Sequence, residues 1–285
     1  MTFGFPDARS LNRPFTIFLI LELFPGDRVM KASPIIIQES IALGNYYDHA
    51  KESIINKLGY ASELFCFDDE RRILRYYTED TLVPTSVQRI PVLILLSNPH
   101  PHSVEQGMFL SPNRIGRENP FWVTLRDTGY FKYEGSINAD MMIDNTYSSP
   151  FSIFMSVLLP LPSNYPEELM EILGPVEYRK MLYTGINKIE SLTNLYKIRN
   201  IICFGRLQYD AISRTSCPNS YVSLLKGGQL IKSKTSFADD VNSFLTFPTG
   251  WRFVKNVKEL KRDSLKRIFD MVLESNKRIN TTPKV

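Results

Sequence analysis

Two hydrophobic patterns alternate along the chain from residue 90 onward. The first is a continuous apolar run, which indicates a strand that is buried on both faces of a sheet. It occurs in "PVLILL" at 91–96, and the mostly apolar segments "NIICFG" at 200–205 and "SFLTFP" at 243–248 are predicted to be two further buried strands. The second is the apolar spacing of a helix, and it occurs at 119–131, 165–199 and 257–275. This alternation of strands and helices predicts an α/β layered fold with a mostly parallel sheet.

Local signals predict where two of these helices end. The helix in 119–131 is expected to end at Gly129, because glycine commonly follows the last helical turn. Gly174-Pro175 interrupts the segment 165–199. Since proline suits the first turn of a helix, this segment is predicted to form two helices.

The first 85 residues have a different character. The stretch 37–58, "IQESIALGNYYDHAKESIINKL", has helical apolar spacing. It is followed at 67–89 by "FDDERRILRYYTEDTLVPTSVQR", which is charged and rich in turn residues and suits a connection. We therefore expect residues 1–85 to form an N-terminal extension packed on the core, and residues 86–285 to form the main domain.

The composition is that of an ordinary globular protein. The chain has 285 residues, of which 43% are hydrophobic, and this length permits a sizeable core without disulfides. The three cysteines lack metal-like spacing, which favours a reducing cytoplasm. The apolar run within 13–29 is about half of what a membrane span requires. We expect a cytoplasmic monomer without a membrane partner, associated with the nucleoid if the source is prokaryotic.

Positive charge is concentrated near the end of the chain. The net charge is +4, but residues 198–285 hold 16 Lys and Arg against 7 Asp and Glu. Such an excess indicates a polyanion partner. The alternative is a lysine-rich surface that is simply solvated.

The end of the first strand carries the chain's main candidate chemistry. Ligands of open α/β sheets bind beyond the carboxyl ends of the strands, and Ser97-Asn98-Pro99 follows directly after 91–96. Pro99 pushes Asn98 into an extended backbone. The side-chain amide of Asn98, which can both donate and accept hydrogen bonds, is therefore expected at the edge of the crevice. The alternative is a turn asparagine, a common role.

The wider segment 97–131, "SNPHPHSVEQGMFLSPNRIGRENPFWVTLRDTGYF", resembles the first motif of the uracil-DNA glycosylase superfamily. The resemblance is greatest to the mismatch-specific uracil/thymine-DNA glycosylase branch. The matching features are Asn98-Pro99, Gly107-Met108-Phe109, Asn119-Pro120-Phe121-Trp122 and Gly129. Leu96 and His100 stand where the family has glycines.

Two further segments resemble later parts of the same branch. "FPTGWRF" at 247–253 is similar to its second motif, with Thr249 in place of serine and Trp251 at the position of the DNA wedge. "MMIDNTY" at 141–147 corresponds to its central asparagine strand, with Asn145 as the asparagine. The resemblance covers about residues 90–275, in the family's order.

The resemblance implies a three-layer α/β/α fold with a central, mostly parallel four-stranded sheet. It implies an enzyme that removes a uracil-type or other damaged base from duplex or single-stranded DNA, without a metal or cofactor. Asn98 would orient the attacking water, and Phe109, Asn145, Ser97 and His100 would bind the base. The residues expected to contact DNA are Thr249, Gly250, Trp251, Arg252, Lys255, Lys258 and Arg262.

Several alternatives stay open. Phe109 and Trp251 could instead be core residues, because large aromatic side chains are usually buried. Asn145 could have no role other than capping a turn. The pair His100 and His102 is weak evidence for a metal site. A catalytically inactive nucleic-acid-binding relative is the main alternative to an enzyme, because His100 would narrow the pocket. A hydrolase of free nucleosides is a second, which would need neither a wedge nor a basic surface.

Overall fold

The computed structural model describes residues 35–113, 115–133, 139–250 and 256–281, without the side chains of 278–281. Within them, every helix is too short or too polar to span a bilayer.

Residues 35–79 form a small α+β assembly, which we call the N-terminal unit. Its elements are β1 (Ile36–Ala42), α1 (Tyr47–Leu58), β2 (Phe65–Asp68) and β3 (Ile73–Glu79), with 3₁₀ turns at Gly44–Tyr46 and Gly59–Leu64. The three strands make an antiparallel sheet in the order β1-β3-β2. Helix α1 buries Tyr47, Ala50, Ile54 and Leu58 in the core beneath this sheet.

Two sequence predictions for this unit are wrong. The helix expected at 37–58 begins only at Tyr47, because residues 36–42 are a strand whose burial alternates with a period of two. The connection expected at 67–89 contains most of the β2–β3 hairpin. The charged turn 68–72 dominates the composition of that stretch, although Leu74, Tyr76 and Thr78 alternate into the core.

The rest of the chain builds a second, larger sheet. Its elements, in chain order, are β4 (Ile90–Leu96), α2 (Pro101–Glu105), α3 (Pro120–Asp127), α4 (Ala139–Asp144), β5 (Phe151–Val157), α5 (Pro166–Tyr196), β6 (Asn200–Cys203), α6 (Arg206–Ile212), α7 (Tyr221–Lys226), β7 (Ile231–Lys234), β8 (Asn242–Leu245) and α8 (Val257–Thr281). The strand order is β5-β4-β6-β8-β7. The first four strands are parallel, and β7 is antiparallel to β8.

The prediction of an α/β fold with a mostly parallel sheet is confirmed, and the strand count is corrected from four to five. The additional strand is β7, a four-residue edge strand whose sequence "IKSK" lacks the apolar run of a central strand. Strand β5 also lies elsewhere than expected. Residues 141–147 contain the end of helix α4, and the strand is the fully buried run 151–157.

Helices cover both faces of the large sheet. Leu93 and Leu95 of β4 face a cluster shared with α1, α5 and α6. Val92, Ile94 and Leu96 face the opposite cluster, which contains side chains of α3, α4 and α8. This alternation along one strand explains why β4 reads as an uninterrupted apolar run, and the arrangement is compatible with three layers.

The predicted division of α5 is confirmed at Gly174, whose φ of 72° lies in the left-handed region. The same glycine is the docking point of the N-terminal unit. A Cβ at Gly174 would lie 2.5 Å from Cζ of Tyr46, so only glycine allows the two to meet. Nearby, Nε2 of His49 lies 2.9 Å from the backbone oxygen of Glu171.

Candidate functional site

The strand order defines a crevice at the carboxyl edge of the large sheet. The chain leaves β4 toward β5 on one side, whereas it leaves β6 toward β8 on the other. The switch point therefore lies between β4 and β6, which is where ligands of open α/β sheets bind. Asn98 follows β4 by two residues, and Gly205 follows β6 by two. The amide of Phe204 donates to the oxygen of Leu95 at 3.1 Å, which joins the two strand ends.

The side-chain amide of Asn98 is held by one end only. Its Nδ2 donates to the backbone oxygen and to Oγ of Ser163, each at 2.9 Å, and to the backbone oxygen of Pro99 at 3.2 Å. Since all these partners can accept, they fix which end of the amide is nitrogen. Oδ1 receives no hydrogen bond from the described residues, and the residue is partly exposed. The carbonyl end can therefore bind a water or a ligand.

Ser163 is a site residue that the sequence analysis missed. It lies on the loop after β5, is 0% exposed, and donates from Oγ to the backbone oxygen of Tyr165 at 2.8 Å. Its amide donates to the oxygen of Pro99 at 3.2 Å. The only signal was a serine shortly after an apolar run, and this signal is usable only once the run 151–157 is identified as the neighbour of β4.

Ser97 and His100, the two expected base contacts on the Asn98 loop, have local structural roles. The oxygen of Ser97 accepts a hydrogen bond from the amide of Leu159 at 2.8 Å, so the parallel pairing of β4 and β5 continues beyond both strands. His100 caps α2, because its Nδ1 accepts from the amide of His102 at 3.2 Å. With φ at −83°, position 100 does not need glycine for conformational reasons.

His102 is engaged in structural contacts. Its Nε2 lies 2.9 Å from the backbone oxygen of Pro112, and its Nδ1 lies 3.8 Å from a carboxylate oxygen of Glu105. Across the described ranges, no group of three His, Cys, Asp or Glu side chains is arranged to hold a metal ion.

Phe109 and Asn145 are the two expected base contacts beyond the Asn98 loop. The first is buried, and the second lies far from Asn98. Phe109 is 0% exposed, in the cluster that includes Val92 and Ile94. Asn145 lies at the opposite edge of the sheet, because its Nδ2 donates to the oxygen of Ser86, just before β4. The length of β4 separates the two asparagines by roughly 20 Å, so Asn145 does not lie beside Asn98, where an expected base contact would have to be.

The segment after β8 does reach the carboxyl edge. Nζ of Lys261 donates to the oxygen of Thr249 at 2.8 Å, and Oγ1 of Thr246 lies 3.0 Å from Oγ of Ser264. These bonds fix residues 246–249, at the start of the segment that resembles the second motif, against α8. Gly250, the next residue, is exposed. Trp251, Arg252 and Lys255 lie outside the described residues.

A small cavity opens where α3, α8 and the ends of β6 and β8 meet. Its volume is about 10 Å³, which suits about one water molecule. The lining residues are Pro120, Phe121, Thr124, Phe204, Thr246, Phe247, Thr249, Lys261 and Leu265.

A larger groove of about 250 Å³ runs between α3 and α8. Its charged lining consists of three carboxylates and two cations, namely Glu118, Asp127, Glu259, Lys258 and Arg262. Nε of Arg262 donates to Asp263 at 2.8 Å, and this bond raises the pKa of Arg262. Lys258 is exposed. The start of α8 is therefore a surface of mixed charge rather than a uniformly basic one.

Comparison of the sequence with models of protein families finds no match, and comparison with curated proteins finds none either.

Proposed function

We propose that this protein is a uracil-DNA-glycosylase-like hydrolase with the three-layer fold of that superfamily. Its reaction is hydrolysis of the N-glycosidic bond of a uracil-type or other damaged base that has been flipped out of DNA, as in base excision repair. The observation that carries the proposal is the Asn98 amide at the switch-point crevice, tethered through Nδ2 to Ser163 with Oδ1 unbonded by the described residues.

The proposed chemistry uses Asn98 as a positioning group. A neutral amide does not take a proton at neutral pH, so Asn98 is not a general base. Its Oδ1 accepts a hydrogen bond from the attacking water and aligns that water with the sugar. The glycosidic bond breaks toward an oxocarbenium-like sugar while the base departs as an anion. Hydrogen-bond donors near the departing base would stabilise its charge.

The proposed DNA contacts begin at the loop after β8, which leaves the sheet at the same carboxyl edge. Thr249 and Gly250 start this loop, and Trp251, Arg252 and Lys255 continue it. Lys258 and Lys266 are exposed on α8. Because they are eight residues apart, they lie on one side of the helix, where a phosphate backbone can run along them.

A second candidate is a nucleic-acid-binding protein of the same fold without catalytic activity. Two observations favour it. Phe109 has no exposed face on which a flipped base could stack. The cavity and the groove described above border α3 and α8 instead of Asn98.

One assay separates these candidates. The purified full chain is incubated with duplexes and single strands that carry uracil, hypoxanthine, xanthine or a thymine mismatch, and abasic sites are then cleaved with alkali. Strand cleavage with at least one substrate supports the enzyme. Binding of the same DNA without cleavage supports the inactive relative. A protein that neither binds nor cleaves any of these DNAs would overturn both candidates.

A further inference from the structure

We infer that the N-terminal unit is part of the candidate site: it positions Asn98 by holding the loop that carries Ser163. We call residues 158–165 the anchoring loop. This inference assigns positioning roles to Thr78 and Tyr60, neither of which touches Asn98 directly. Its effect on the rate of base excision rests on the proposed function, whereas its effect on the position of the Asn98 amide can be tested without a substrate.

The anchoring loop determines where Asn98 lies. It pairs with the chain around Asn98 through three backbone bonds, from Leu158 to Leu96, from Leu159 to Ser97 and from Ser163 to Pro99, at 2.8–3.2 Å. Ser163 supplies two of the three acceptors for Nδ2 of Asn98, and the third is the backbone oxygen of Pro99. A shift of this loop therefore moves or releases the amide.

The loop accepts hydrogen bonds from donors outside it. Its sequence is "LLPLPSNY", and Pro160 and Pro162 carry no backbone N–H. Two of its positions therefore cannot donate to any neighbour. The carbonyl oxygen of Pro160 and Oδ1 of Asn164 accept hydrogen bonds from donors outside the loop.

The N-terminal unit provides these donors. Oγ1 of Thr78, on β3, donates to the backbone oxygen of Pro160. Thr78 is 1% exposed, so water cannot replace this bond. Oη of Tyr60 donates to Oδ1 of Asn164 at 2.5 Å, one residue beyond Ser163. The two contacts hold the loop on both sides of Ser163.

Apolar packing keeps the unit and the loop together. The side chains of Leu64, Leu74 and Tyr76 belong to the same buried cluster as Leu158 and Leu161. Helix α5 closes on the other side, where a Cβ at Gly185 would lie 1.9 Å from the oxygen of Leu158. A close-packed arrangement of this kind transmits small displacements, so the geometry at Thr78 is passed to Asn98.

The test observes the Asn98 amide itself. The full chain is labelled with ¹⁵N-asparagine, and the Asn98 side-chain NH₂ signal is identified by its loss in Asn98→Ala. In Thr78→Val, which keeps the side-chain shape but loses the hydroxyl, we expect this signal to shift and its protons to exchange at least severalfold faster. Thr78→Ser should restore the wild-type signal.

Two further variants complete the design. Thr128→Val removes another buried hydroxyl that donates to a backbone oxygen, that of Leu125, and should leave the Asn98 signal unchanged. Tyr60→Phe should perturb the signal without endangering the fold, because Tyr60 is 51% exposed. An unchanged Asn98 signal in both folded Thr78→Val and folded Tyr60→Phe would overturn the inference.

The catalytic consequence is measured as kcat and KM for a DNA substrate from which the wild-type protein removes the base. Thr78→Val should lower kcat by roughly tenfold and leave KM within about twofold, since positioning acts mainly on the chemical step. Equal losses in Thr78→Val and Thr78→Ser would contradict the role of the hydroxyl. A wild-type protein without activity would refute the proposed function, and the NMR comparison would still test the inference.

Discussion

Nδ2 of Asn98 lies 2.9 Å from both the backbone oxygen and Oγ of Ser163, 65 residues further along the chain. This contact joins the carboxyl ends of two neighbouring parallel strands, β4 and β5. It orients the amide so that the nitrogen is buried against the loop and the oxygen is directed elsewhere. The contact therefore makes Asn98 suitable for orienting a water.

The first prediction concerns Ser163. Ser163→Ala removes one of the three acceptors for Nδ2 and leaves the backbone oxygens of Ser163 and Pro99. We expect kcat for base excision to fall by roughly tenfold, with a loss of about 1 kcal/mol in the free energy of unfolding. The matched control is Ser152→Ala, which removes a buried hydroxyl that has no hydrogen-bond partner among the described residues. A similar fall in kcat in both variants would mean that Ser163 acts only through stability.

The second prediction concerns DNA binding by α8. Replacing Lys258 and Lys266 with alanine should weaken binding and reduce the salt slope by about 0.9 for each phosphate that the helix no longer neutralises. Arg262→Ala should change the slope less, because Arg262 is already paired with Asp263. Lys180→Ala, on the opposite face of the sheet, is the control. An unchanged slope in the Lys258/Lys266 double variant would show that DNA does not run along this helix.

The third prediction concerns the buried carboxyl of Glu79. Burial raises its pKa well above the usual value, and its Oε1 has no hydrogen-bond partner among the described residues. The folded state therefore holds a proton that the unfolded state releases near pH 4. This contribution to stability is fully present below about pH 4 and is lost as pH rises toward the folded pKa.

Glu79→Gln isolates this effect. The variant should be more stable than wild type at pH 8, and the difference should shrink toward pH 4. Urea unfolding of both proteins from pH 4 to pH 8 measures it. A constant difference in the free energy of unfolding across this range would contradict the assignment.

The fourth prediction concerns the docking of the N-terminal unit. Gly174→Ala places a methyl group against the ring of Tyr46 at a φ of 72°. We expect a loss of about 1–3 kcal/mol in the free energy of unfolding from backbone strain, with a further loss from the clash. Adding Tyr46→Ala should recover the part due to the clash. If the double variant recovers nothing, the ring of Tyr46 does not pack on Gly174.

The large sheet could be predicted where the signal is local. Strand β4 is a continuous apolar run, β6 and β8 lie in mostly apolar segments, and the break in α5 is a Gly-Pro pair. Both ends of α3 also have local signals. At its start, Oδ1 of Asn119 accepts from the amide of Phe121 at 3.0 Å, and after its last turn Gly129 has a φ of 81°. These features depend only on neighbouring residues.

The remaining features depend on partners that are distant in the chain. The pairing of β1 with β3 joins segments on either side of a helix, and "IKSK" becomes a strand only because β8 lies beside it. The contact between Asn98 and Ser163 requires the strand order. The resemblance implies a strand around Asn145, whereas the chain there is a helix that ends at Asp144 and is followed by a turn with φ at 53°.

The most direct test of the account is the single-turnover rate of base excision by Asn98→Ala, measured beside wild type and the surface control Asn194→Ala. If Asn98 orients the attacking water, Asn98→Ala should lower this rate by about two orders of magnitude or more, while the affinity for the same DNA stays within a few-fold. Asn194→Ala should match wild type in both quantities. An Asn98→Ala protein that excises the base at the wild-type rate would contradict the account.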